Sequence, residues 1–219
     1  MLEPVTESVK TEMVAQHHRG IEPAPSAAAP PDLLLVERAR GKEIRAFETL
    51  MRRYNQRLFR IARSIVPDAD VAETVVQEAY LLAFNDIEHY EPAGKFGAWL
   101  ARLAFNQALA VSKTVRPQAV GQVDGATSRQ LLEQSVDALP EVFRTVFVLR
   151  AVEGISGIET AACLGLNETT VRTRLYRAQR RLRIDWSQHA PAERNGVFEL
   201  TNARGDHIVS RVLGRLNNG

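Results

Sequence analysis

Apolar residues recur at three- and four-residue steps in several separate runs, each bounded by Pro, Gly or Asx breakers, so the chain predicts helices in succession. Phe47, Leu50, Met51, Tyr54, Leu58, Ile61, Ala62 and Ile65 form one stripe, with Arg52, Arg53, Gln56, Arg57 and Arg60 between them. That is a long amphipathic helix, broken by Pro67 and Asp68. A second helix runs through VAETVVQEAYLLAFNDI, apolar on a broad face at Val75, Ala79, Leu82 and Ala83. The segment NDIEHYEPAGK interrupts the period and reads as a loop, and a third helix runs from about Lys95 to Lys113 through Phe96, Trp99, Leu100 and Leu103. Beyond it, LLEQSVDALPEVFRTVFVLRAVEG predicts a helix opened near Pro140 and closed by Gly154.

The stretch SGIETAACLGLNETTVRTRLYRAQRRLR, Ser156 to Arg183, is more specific, because it reads as two short helices around a tight turn. Ser156 with Glu159 makes a capping box, Gly165 suits the left-handed residue that ends the first helix, and Asn167 caps the second. Leu164, Leu166, Val171 and Leu175 supply the apolar contacts between them, with Ala161 at the close approach. Arg172, Arg174, Arg177, Arg180, Arg181 and Arg183 crowd the second helix, which suits a phosphate-lined groove. Arg172 and Arg174 lie early enough to reach base edges, and Arg177 to reach phosphate.

No strand-like alternation persists over residues 32–185, so the fold class is all-α: two small helical domains joined by a flexible linker, the second a helix-turn-helix. The boundaries fall at 1–31, a flexible Pro/Ala-rich N-terminal tail; 32–113, the first helical domain; 114–130, a linker that lets the domains reorient; 131–185, the helix-turn-helix domain; and 186–219, a C-terminal extension. Within that extension Ile208, Val209, Val212, Leu213 and Leu216 make a short amphipathic helix that docks on the protein itself or on a partner.

Composition changes this picture little. A 45% hydrophobic fraction over 219 residues allows real cores, and a net charge of +2 does not announce a nucleic-acid binder, so the local clustering of arginine carries that argument. The lone Cys163 sits where a small apolar residue packs and has no cysteine to pair with. His17 and His18 lack further spaced ligands, and no Gly-rich phosphate loop, HExxH or GxSxG occurs, so no metal, cofactor or catalytic site is expected. No apolar run reaches membrane-spanning length and the acidic start is unlike a signal peptide, so the protein is expected in the cytoplasm.

Residues 46–113 and 131–183 resemble the two conserved domains of extracytoplasmic-function (ECF) sigma factors, the promoter-recognition subunits of bacterial RNA polymerase. The segments that carry the resemblance, in the family's order, are AFETLMRRYNQRLFRIARSIV, DADVAETVVQEAYLLAF, KFGAWLARLAFNQAL, ALPEVFRTVFVLRAVEGIS and the turn motif. The resemblance implies a protein that binds core RNA polymerase and directs promoter-specific initiation in a stress or signal response. It implies core-polymerase contacts at Glu73, Gln77 and Glu78, with Thr74 where the family usually has aspartate. It implies capture of the melted promoter element at the Asn85–Lys95 loop and at Lys95, Arg102 and Asn106, and upstream-element contacts at Arg172, Thr173, Arg174, Arg177 and Arg180. Core RNA polymerase and promoter DNA are the partners so implied, and an anti-sigma factor is allowed. Leu82, Gly97 and Phe105 stand where basic residues are common, and Gly205 where a cysteine is often seen. The lost basic positions favour the alternatives, a sigma-like mimic that sequesters an anti-sigma factor or a stand-alone helix-turn-helix regulator.

Overall fold

The computed structural model describes residues 29–91, 95–113, 127–182 and 191–218. Among them stand ten α-helices and no strand. The expectations for the N-terminal tail, for most of the linker and for the loop residues 92–94 lie outside the described residues.

The first lobe opens with α1 (Asp32–Arg40), a short helix that the apolar pattern does not separate from its successor. Its Leu35, Val36 and Ala39 are buried against α2 (Ile44–Arg63). The stripe predicted for α2 lines the core: Phe47, Leu50, Met51, Leu58 and Ile61 are all buried, each such side chain contributing about 1.5–3 kcal/mol. Asp68 then caps α3 (Ala69–Asp86), accepting from the N–H groups of Asp70 and Val71 at 2.9 Å. Tyr80 on α3 is fully buried and donates its hydroxyl to the Met51 carbonyl at 2.9 Å, which pins α3 to α2 without an unpaired polar atom.

After a 3-10 turn at Ile87–His89, α4 (Phe96–Ser112) closes the lobe against α2 and α3. Ala101, Ala104 and Ala108 let its backbone approach closely. Gly97 has the same use at one point, since a Cβ there would lie 2.4 Å from Tyr54 Cε1. The Tyr54 ring cannot easily retreat: it stands edge-on to Phe96 and donates its hydroxyl to Asp32. Gly97→Lys is therefore expected to cost about 1–3 kcal/mol through overpacking. A urea midpoint unchanged by the substitution would show that the ring has room to move.

The second lobe starts at α5 (Ser128–Asp137), opened by a capping box between Thr127 and Gln130. The single helix expected from Pro140 to Gly154 divides into α6 (Glu141–Phe147) and one widened π turn, Val148–Val152. Helices α7 (Gly157–Leu164) and α8 (Glu168–Arg181) come next, with α6 packed against α8. Then α9 (Pro191–Asn195) precedes α10 (Asn202–Asn217), which lies against α2 and α3 of the first lobe.

In this conformation the lobes share an interface. Arg57 and Arg60 of α2 both pair with Glu153, at 3.1 and 2.7 Å, and Arg63 pairs with Asp137 at 2.9 Å. Arg144 reaches back from α6 and donates to the Ser64 carbonyl at 2.6 Å, while burial pulls its guanidinium pKa down. The segment before α10 threads between the lobes. Phe198 holds a left-handed backbone that a bulky residue rarely adopts, with φ 50°, and is fixed there from three sides. Its N–H donates to Glu133, its carbonyl accepts from Gln56, both at 2.9 Å, and Arg63 covers its ring at 4.3 Å.

Candidate nucleic-acid interface

The turn motif owes its geometry to local chemistry. The Ser156 hydroxyl accepts from the Glu159 N–H at 3.2 Å, and the Glu159 carboxylate accepts from the Ser156 N–H at 3.3 Å, satisfying donors that the start of α7 leaves unpaired. Gly165, at φ 65°, takes the left-handed conformation that ends α7. Asn167 caps α8 by accepting from the Thr170 N–H at 2.7 Å. Val146, Ala161 and Val171 then form a small separate core, with Leu164, Leu166 and Leu175 packed around it. This core fixes the angle between α7 and α8.

That packing turns one face of α8 outward. Arg172, Thr173, Arg177 and Arg180 are exposed, and Arg174 is half-buried. Arg180 lies 5.9 Å from the exposed Tyr176 ring, and Arg181 lies over Phe143 at 5.2 Å, so Arg181 is drawn toward the lobe's own core. The five proposed upstream-element residues thus share one helix, with four on its open side.

The three residues proposed for the melted element lie on or beside α4. Arg102 and Asn106 are exposed one turn apart, and Lys95 stands just before the helix. Lys95 is already engaged, because its ammonium pairs with Glu159 of α7 at 2.8 Å. The Lys95 ammonium and the Ser156 hydroxyl together hold the Glu159 carboxyl down to about 2, against an ordinary value of 4.5. A carboxyl lowered in the folded state stabilises the fold above its ordinary pKa, and that contribution is lost as the pH falls from there toward 2.

A cleft of about 440 Å³ lies between α4 and α7, lined by Trp99 and Arg102 on one side and Ala162 and Cys163 on the other. Trp99 is half-buried and tilted against Tyr90 and Phe96, at 5.2 and 5.5 Å, in keeping with a core residue. Burial pushes the Cys163 thiol up to about 11, so it stays protonated at neutral pH and acts as a small apolar side chain.

On α3, Glu73 is buried, Gln77 and Glu78 are half-buried and Thr74 is exposed. Both carboxylates have arginine partners within the chain. Arg204 of α10 pairs with Glu73, and also with Asp70 at 2.9 Å. His207 Nδ1 lies 3.3 Å from Glu73, and Arg215 pairs with Glu78. The sequence places a helix at 208–216 but gives no sign of which surface it covers, since its ionic partners lie more than 130 residues away. The interlobe roles of Arg57, Arg60 and Arg63 are equally silent in sequence, because their partners lie 74 to 96 residues away.

An all-helical protein that joins a basic helix-turn-helix to a helical lobe with an acidic helix face belongs to the class of DNA-binding transcription proteins. Two family models match, "Sigma-70 region 2" over residues 50–111 and "Sigma-70, region 4" over residues 129–182, together just over half of the chain. The ECF RNA polymerase sigma-E factor of Escherichia coli K12 is 29% identical over 174 residues, spanning 68% of this chain and 90% of that protein. The ECF RNA polymerase sigma factor SigE of Mycolicibacterium smegmatis is 28% identical, spanning 66% and 63%. Among solved structures, CnrH in complex with the cytosolic domain of CnrY superposes with a TM-score of 0.56 at 30% identity, over 69% of this chain and 94% of that one. The sigma factor RpoE bound to the anti-sigma factor NepR, from Bartonella quintana, shares the fold at a TM-score of 0.50 and 21% identity, over 65% and 92%. The chain belongs to the ECF sigma factors, and its function is promoter-specific initiation of transcription with RNA polymerase. No helix among the described residues is long and apolar enough to cross a membrane.

Proposed function

We propose that this sigma factor holds core RNA polymerase through Glu73, Gln77 and Glu78 of α3, reads the upstream promoter element with Arg172, Thr173, Arg174, Arg177 and Arg180 of α8, and captures the melted element with Lys95, Arg102 and Asn106. The observation that carries this reading is the pairing of a rigidly capped helix-turn-helix, its basic face open, with a separate lobe that a duplex-binding repressor has no need for. In the proposed division of the chain, residues 32–113 engage polymerase and melted DNA, 114–130 link, 131–185 read the duplex, and 186–219 extend beyond both. The protein acts by binding, without catalysis of its own, in the cytoplasm where polymerase and promoter DNA reside.

Melting a promoter costs a few kcal/mol for each base taken from the stack, and a protein that holds the extruded bases offsets it. Arg102 and Asn106, exposed on α4, suit backbone and base contacts of that kind. An anti-sigma factor completes the set of partners, a reading supported by the solved complexes of the same fold, in which CnrH holds the cytosolic domain of CnrY and RpoE holds the anti-sigma factor NepR.

Run-off transcription with purified core polymerase over a promoter library tests the whole reading. The expected outcome is a stoichiometric complex with core and transcripts from a defined subset of promoters. The absence of both co-elution and any transcript would sink the initiating role and leave the sequestering mimic in its place.

A further inference from the structure

We infer that α10 is an intrachain occupant of the polymerase-binding face, so that a basic helix on a partner must displace it to reach Glu73 and Glu78. This rests on the assignment of those residues to core polymerase. The face is built for a particular kind of ligand: a shallow apolar surface of α2 and α3 flanked by carboxylates, which suits an amphipathic helix bearing arginines at its edge. Helix α10 has that form. Ile208, Val209 and Val212 are buried, while Arg204 and Arg215 reach the acids from either end.

The contact is extensive enough to compete. Arg204 bridges Asp70 and Glu73, and the Glu73 side chain retains only 9% of its accessible surface. A carboxylate so desolvated and paired presents little to a second guanidinium until the first has gone. Arg52 pairs with Asp206 at 2.6 Å and Asn55 donates to the Gly205 carbonyl at 3.1 Å, which register the start of α10 on α2. The chemistry of its ends also makes the anchor reversible. The Arg215 pair with Glu78 is about half-exposed, and exposed pairs contribute little each. The apolar stripe is short. Such a helix can leave by fraying from Asn217 without the rest of the lobe unfolding.

The consequence is a lowered apparent affinity for core, because only the fraction of molecules with α10 released is competent. The full-length double variant Arg204→Gln, Arg215→Gln weakens the occupant while leaving Glu73, Gln77 and Glu78 in place. It is expected to bind core polymerase at least about tenfold tighter than the wild type, the gain that results when a competent fraction near one tenth becomes dominant. A synthetic peptide of residues 201–218 added in trans should lower the variant's affinity again, and the same peptide with both glutamines should do so less. Hydrogen exchange on the unaltered protein gives a second readout, in which the amides of Asn202–Asn217 lose protection when core is added.

Equal affinities for wild type and variant, with α10 still protected in the complex, would overturn the inference and make α10 a permanent brace. Weaker binding by the variant would overturn it as well, since α10 would then support the face rather than cover it. Failure of both proteins to bind core would instead remove the assignment on which the inference rests, and the inference with it.

Discussion

Arg60→Ala is expected to destabilise the protein by about 3 kcal/mol or more, although Arg60 lies on the polar side of α2 in the sequence pattern. Its side chain is 10% exposed and that of Glu153 is 7% exposed, so the pair at 2.7 Å is shielded from water on both sides. Arg60 also donates to the Val197 carbonyl at 2.9 Å and to the Asn195 carbonyl, which holds the segment between α9 and α10 against the first lobe. Truncation leaves two carbonyls and part of a buried carboxylate without their donor, and such groups cost more unpaired than the bond contributes when made. Arg57 provides the control. It meets the same Glu153 but is 37% exposed, and its loss should cost at most about 1 kcal/mol. Urea unfolding of the two variants separates them, and equal, small losses would mean that the interlobe network carries no stability.

How far the sequence reveals this arrangement depends on the range of the interaction. The turn motif is legible because its determinants are local: the box between Ser156 and Glu159, the left-handed Gly165 and the Asn167 cap each act within four residues. The apolar stripes of α2, α3 and α4 are legible for the same reason, since a period needs only its own helix. Other features depend on partners far along the chain. A substituent at Gly97 would meet the Tyr54 ring, which no spacing rule discloses. The interlobe pairing of Arg57, Arg60 and Arg63 has no signature in the sequence, because an arginine's stem and head obey no period; Glu153, Asp137 and Phe198 engage them, and Arg60 and Arg63 are shielded while Arg57 stays partly exposed. The amphipathic character of α10 and its docking are visible in the sequence, but the surface it covers emerges only from the Arg204 and Arg215 pairs.

The division of the two lobes also separates the two proposed DNA-binding faces. In this conformation Lys95 is tied to Glu159 and the α4 face looks across a cleft at α7, whereas Arg172, Arg177 and Arg180 remain exposed on α8. Under the proposed assignment the α8 face is open to a duplex as it stands, whereas Lys95 must exchange its exposed pair with Glu159 for a contact to DNA. Arg172→Ala and Arg174→Ala are expected to relax base preference by about 1–3 kcal/mol at a contacted position, because each removes a donor able to reach a guanine edge. Arg177→Ala should weaken binding evenly across sequences and reduce the salt slope by about one, as the loss of one phosphate contact does. Half-burial of Arg174 restricts its reach, so its variant should show the smaller change of the first two. Salt titrations on duplexes carrying systematic base changes in the upstream element measure both effects. If affinity, preference and salt slope are the same in all three variants as in the wild type, this face of α8 does not touch DNA. If Arg177→Ala instead shifts preference at one base, Arg177 is a reader of sequence and the register of α8 in the groove is one turn deeper than its N-terminal arginines imply.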